Sequence, residues 1–418
     1  MGPRAWAVIS LAILLFALVI VAALRVPWSA PPAPRSDQLA ALRDLPGDAV
    51  ARGRAFHAAL RPGSYGALLL GLVIALILGL TPLGARIVEA VGKPFGGNWI
   101  AQAILGGFVI VGIGEIVTLP LAAWRETILR HYGLSNQNWS SWTVDLLKGY
   151  GVAAVIGAVT LFGFYGLARL MPRWWWVLAA GGAAALTVLF SFVFPVLVEP
   201  IFNKFTPMEP GPLRENLIAM AAHDGVPVRD VLVADASRRT NALNAYVSGL
   251  GPTRRIVVYD TLLRDAPPDE VQAVVAHELG HAKLGDVLTG TVIGALGAAA
   301  GVVVVYLLGA WTGLLRRAGV DSIGDPRSLA LLIAVATLAG LAAAPLQSLV
   351  SRLIEARADA HALAVTNQPS TVEQMEQRLA TTNLADVDPP RLEYLMFASH
   401  PSVVERIAAA RAFARGER

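Results

Sequence analysis

Nearly unbroken apolar runs alternate with polar stretches along the chain, and seven of them, at residues 6–24, 64–80, 100–123, 151–170, 174–198, 287–311 and 328–350, have the length of a membrane span. About 20 helical residues cross a bilayer core of about 30 Å, and only a helix or a closed barrel satisfies its own backbone there. Between the fifth and sixth runs the pattern changes. Residues 213–222, after Pro212, have amphipathic helical spacing, and 231–234, 245–248 and 255–259 read as short strands separated by Ser, Asn, Gly and Pro. The pattern predicts a mainly α protein of seven transmembrane helices with a small α+β domain. Its segments are five N-terminal membrane helices with their loops (1–198), a loop domain with a small sheet (199–286), membrane helices six and seven (287–350), and a helical tail (351–418).

Composition agrees with a membrane protein: 55% of residues are hydrophobic and only 15% charged. The first run follows Arg4, as a secretory signal would, but its apolar stretch exceeds the usual 7–15 residues, so it reads as a retained span. Charge sets the orientation. If the loops after runs 1, 3 and 5 and the tail share one side, that side holds 26 of the 34 Lys and Arg, against 8 opposite, and is expected to be cytoplasmic. The net charge of +4 is then an orientation signal and not a nucleic-acid footprint. Trp174, Trp175 and Trp176 fit an interfacial aromatic belt. Glu115, inside the third run, must face protein or water, either lining an aqueous space or bonding a neighbouring helix. Cysteine is absent, so any metal site must use His and carboxylate.

One pentapeptide carries chemistry: His277-Glu278-Leu279-Gly280-His281. On a helix, residues four apart share a face about 6 Å apart along the axis, so both imidazoles reach one metal ion while Glu278 reaches its water. Pro267 and Pro268 followed by Asp269 and Glu270 make a helix start, and the helical pattern runs on through both His residues into the sixth span. The seventh span returns to the same side. Glu355, five residues after it, therefore comes level with the His pair as a third ligand. A His₂Glu set leaves a fourth tetrahedral position open, the catalytic pattern of zinc, here one ion per chain. Asp359, one turn further on, is expected to accept a hydrogen bond from a ligand imidazole. His361 faces elsewhere and reads as incidental. The strand run at 245–248 beside the motif is placed to hold an extended peptide, with Asn244 as a further contact or simply a turn residue.

These residues resemble a known family, the membrane-integral zinc peptidases called type I CAAX prenyl proteases. The resemblance spans almost the whole chain: Gly133-Leu134-Ser135-Asn136 with Asp145 and Lys148-Gly149, Phe202-Asn203-Lys204-Phe205, Asn244-Ala245-Tyr246, the HELGH motif, the segment from Glu355 to Ala362, and Ser399-His400-Pro401 with Arg406. It implies seven helices around a large water-filled chamber, a zinc site at the cytoplasmic end, and a cap made by the loop domain and tail. It also implies His400 near the metal, placed to stabilise an oxyanion. The implied substrates are peptides or proteins, lipidated or membrane-associated, in the manner of enzymes that remove the last three residues of prenylated proteins. Four Lys against thirty Arg, with abundant Ala and Gly, resembles a bacterial chain. Two other readings stand beside this one. HtpX-like quality-control peptidases share the motif but have about four spans. A zinc or solute transporter would place ligands near the bilayer midplane between repeats, and no repeat is visible.

Overall fold

The computed structural model describes residues 2–29, 32–249 and 251–417. Seven of its helices are long and apolar enough to cross a membrane: Pro3–Arg25, Gly47–Leu80, Trp99–His131, Trp139–Leu170, Trp175–Phe202, Asp286–Leu308 and Pro326–Thr366. Their principal packing runs neighbour to neighbour in the order seventh, second, third, fourth, fifth, sixth, first, and Arg357 of the seventh, donating to the Arg25 carbonyl of the first at 3.0 Å, closes the row into a ring. Few of their residues are buried in protein, between 6% and 28% of each apolar window. Helices in a ring touch two neighbours and leave two faces free, which accounts for that low burial.

Several of these helices outlast the membrane. Gly47–Leu80 has 34 residues, or about 51 Å, some 20 Å more than a bilayer core. Its first turns carry Phe56, His57 and Arg61 out to the tail. The seventh runs unbroken from Leu329 to Thr366, which carries Glu355 and Asp359 on one rigid rod with its apolar part.

Two expectations are corrected. Trp175 and Trp176 are only 4% exposed, packed against Phe164 and Tyr306, so they are core residues and Trp174 alone stands exposed. The motif helix does not continue into the sixth span. It ends at Leu284, because Gly285 takes a left-handed conformation at φ 70°, and a new helix starts at Asp286. As for Glu115, it accepts a hydrogen bond from Tyr150 on the fourth span at 2.9 Å.

The loop domain holds a helix, Pro212–His223, and four strands: β1 Phe205–Pro207, β2 Asp230–Ala234, β3 Ala245–Ser248 and β4 Arg255–Tyr259. β1 went unseen in the sequence because three residues including a proline carry no alternation. The sheet order is β1-β2-β4-β3, with β2 and β4 parallel and the outer pairs antiparallel. β4 is central and buried; β3 is an edge. Beneath the sheet, Val231, Ile256, Val258 and Leu217 pack with Val271, Val275 and Leu279 of the motif helix Pro268–Leu284, and with Val372 and Met375 of the tail. Each such fully buried aliphatic side chain contributes roughly 1.5–3 kcal/mol. The motif helix is therefore fixed by one core that joins loop domain and tail.

Candidate metal centre

Three side chains converge at the end of the ring. His277 Nε2 lies 3.2 Å from His281 Nε2 and 3.2 Å from Glu355 Oε2, and His281 Nε2 lies 3.6 Å from the same oxygen. Donors at 2.0–2.1 Å from a tetrahedral zinc stand about 3.3–3.4 Å apart, so the triangle has the size of one face of such a site. Its chemistry also fits. The far nitrogens of both rings are bonded elsewhere, His277 Nδ1 to Asp359 at 2.8 Å and His281 Nδ1 to Asp286 at 2.9 Å. In the neutral tautomers this selects, both Nε2 lone pairs face Glu355 Oε2, a buried oxygen without a hydrogen-bond partner among the described residues. Three acceptors facing one another repel unless a cation lies between them.

Electrostatics points the same way. Burial disfavours the charged form of His277, yet the neighbouring carboxylates of Asp359 and Glu355 raise its pKa to about 10. His281 is raised to about 9 by Asp286 and Glu355 against the same penalty. The pocket thus calls for positive charge, which a divalent ion supplies while displacing the protons. Burial also pushes the Glu278 carboxyl up, against the opposing pull of His277 and His281. A carboxyl raised in this way is suited to taking and returning a proton.

Each imidazole has its own brace. Behind His277, Asp359 is held bidentately by Arg406 of the tail helix Val403–Ala414, and Arg406 also reaches Glu376 at 2.9 Å. Burial pushes the Glu376 carboxyl up to about 7, although Arg406 pulls it down. Behind His281, Asp286 is gripped by Arg357. Sequence reading missed Asp286; the signal was an acid directly after Gly285, where the helix break lets its carboxylate reach His281 on the preceding turn.

His361, read as incidental, donates from Nε2 to buried Asp224 at 2.8 Å, and Asp224 also accepts from Lys283 Nζ at 2.6 Å. It lies on the seam between motif helix and seventh span. A Cβ at Gly280 would meet the His361 ring at 3.0 Å, so the motif's glycine permits that close approach.

His400 Nε2 stands 3.4 Å from Glu355 Oε2, on an exposed loop that is tied down on both sides. Arg352 of the seventh span donates to the carbonyls of Tyr394 and Ala398 at 2.7 and 2.8 Å, and Ser402 caps the tail helix in a box with Glu405. Asn244 is exposed, just ahead of edge strand β3. Its approach is set by Asn383, whose amide pairs with both backbone groups of Leu243 at 2.8 and 3.1 Å. A cavity of about 560 Å³ lies between β3, the motif helix and the seventh span, lined by Asn244, Tyr246, Val247, Glu278, Glu355 and His400 among others.

Comparison with known proteins gives two family matches. Residues 207–414 match the family model of peptidase family M48, and residues 64–204 match that of the CAAX prenyl protease N-terminal region, five membrane helices. The chain is 32% identical over 302 residues to the uncharacterized metalloprotease YhfN of Bacillus subtilis, covering 72% of this chain and 71% of that one. It is 30% identical over 314 residues to a CAAX prenyl protease 1 homolog of Arabidopsis thaliana, covering 71% and 70%. Among solved structures, S. mikatae Ste24p superposes with a TM-score of 0.79 at 22% identity, over 98% of this chain and 99% of that one.

Proposed function

Starting from a chain that belongs to peptidase family M48, in its CAAX prenyl protease branch, and is a membrane metalloprotease, we propose a zinc-dependent endopeptidase with one zinc per chain. The observation that carries the metal is the triangle of His277, His281 and Glu355. The matching five-helix segment favours this branch over an HtpX-like peptidase. Two ligands on a helix outside the membrane spans and a third beyond the apolar part of the seventh, away from mid-membrane, speak against a transporter.

Bound zinc supplies Lewis acidity, polarising the scissile carbonyl and acidifying water. Glu278 takes the proton of the attacking water and later hands it to the leaving amine nitrogen. His400 donates an N–H to the carbonyl oxygen as it gains negative charge. Asp359 and Asp286 hold the two imidazoles in the tautomer that presents Nε2. The peptide pairs along the free edge of β3, with the Asn244 amide on its backbone. Substrates are peptides or proteins, lipidated or membrane-associated. With 26 of 34 Lys and Arg on its side, the centre faces the cytoplasm from the cell membrane. A Cys at Arg238, in a chain that has no other, should resist an impermeant thiol reagent in intact cells; ready labelling reverses the orientation.

Replacing Glu278 by Gln tests the mechanism. Metal content and fold should stay, and turnover of a membrane-associated peptide should fall roughly 10²–10⁴-fold. Near wild-type turnover would assign the base to another group.

A further inference from the structure

On the far side of His400 a second cavity opens that the reaction above does not use. About 430 Å³ in volume, it lies between the outer turns of the second membrane helix and the tail, with His57, Asn383, Asp386, Glu393, His400 and Arg406 on its walls. Two features give it a character. Between its ends the lining is largely apolar, with Leu379, Ala385, Pro389 and Phe397. The end away from His400 is acidic: Arg61 donates to Asp386 at 2.5 Å and to Glu393 at 2.7 Å, so one guanidinium serves two carboxylates and a negative charge is left over.

One atom points to a ligand. The Asp386 side chain is only 6% exposed, and its Oδ1 is buried with no hydrogen-bond partner among the described residues. Leaving such an oxygen unpaired is unfavourable, and an incoming donor removes that cost. The wall is also firmly seated. A Cβ at Gly53 would lie 2.4 Å from the Ala385 carbonyl oxygen, so the tail backbone rests directly on the second helix beside Asp386.

We propose that this cavity is a specificity subsite that receives a basic side chain of the substrate, lysine or arginine, with Asp386 Oδ1 accepting from its cationic end. A long apolar stem with a charged tip is the complement of apolar walls ending in an acid. His400 lines both this cavity and the one at the metal centre, which places that residue within a few positions of the cleaved bond. The inference rests on the peptidase reading, and its test separates the two.

Full-length zinc-loaded Glu278→Gln protein is titrated with fluorescein-labelled decapeptides of Ala and Leu carrying Lys, norleucine or Glu at one position at a time. At one position Lys should bind about tenfold tighter than norleucine, equivalent to about 1.4 kcal/mol. Adding Asp386→Asn should abolish that preference, and adding Asp386→Glu should restore most of it. Equal binding of Lys and norleucine peptides at every position overturns the subsite, as does a preference that survives Asp386→Asn. The first of these readings uses protein with Asp386 intact, so it does not depend on how the variant folds. The wild type is then given the same peptides. Cleavage with no Lys preference removes the subsite and leaves the peptidase; Lys-selective binding without cleavage supports the subsite and removes the peptidase.

Discussion

His277 and His281 stand one turn apart on the same helix, yet they are held from opposite sides of the molecule. Behind His277 lies a buried network from the tail, Asp359 with Arg406 and Glu376. Behind His281 lies an ion pair at the membrane end, Asp286 from the start of the sixth span with Arg357 on the rod of the seventh. The Asp359–Arg406 pair is 11% and 14% exposed, whereas Arg357 is 25% exposed. Two equivalent imidazoles thus have unequal supports. The metal centre is a junction, and its geometry requires the tail and the membrane ring to be docked together.

The largest effect should come from removing what both supports hold. Glu355→Ala or His281→Ala leaves two ligands, which cannot keep zinc in a catalytic geometry. Elemental analysis should fall from about one zinc per chain to near zero, with peptidase activity lost alongside. A zinc-loaded, active Glu355→Ala protein would place the third ligand elsewhere, with Asp359 as the first alternative.

Next come the two braces, taken separately. Asp359→Ala and Asp286→Ala should each weaken metal affinity roughly 10–100-fold, leaving measurable turnover at saturating zinc. They should differ in stability. Without Asp359, Arg406 keeps only Glu376 in a buried setting, and breaking a buried pair is destabilising by roughly 3–5 kcal/mol. Without Asp286, the partly exposed Arg357 can turn to solvent, and the loss should be smaller, closer to about 1 kcal/mol. Thermal unfolding of the two variants in the same detergent reads this difference; equal shifts in Tm would mean that the supports are equivalent.

Smallest, as far as the metal is concerned, should be the seam that neither brace includes. Asp224→Ala leaves His361 and Lys283 without their shared acceptor, a loss of roughly 1–3 kcal/mol. Tm should drop while zinc affinity stays within a few-fold of wild type. A loss of metal comparable to Asp359→Ala would make this seam a third brace.

How far these features were legible in the sequence follows from their range. The spans, the helix start at Pro267 and Pro268, the motif spacing and the short strands at 245–248 and 255–259 all depend on neighbours within one or two turns, which periodicity and turn chemistry report. Even there, local signals had limits. An apolar run does not tell a lipid-facing Trp from a buried one, so Trp175 and Trp176 were misplaced, and the helix break at Gly285 was masked by a helical pattern on both sides.

By itself, then, the sequence determined that this is a membrane protein with two imidazoles on one helical face and a carboxylate at matching height, because rise per residue and bilayer thickness convert residue number into position. Only the tertiary structure decided which partners complete the site. Asp286 on His281, Arg406 on Asp359, Asn383 on Leu243, Arg352 beneath the His400 loop and Asp386 at the end of the second cavity are chosen by packing between segments far apart in the chain. A hydrogen bond depends on distances of a few tenths of an ångström, and no periodicity along a chain specifies those between elements that meet only when the core closes.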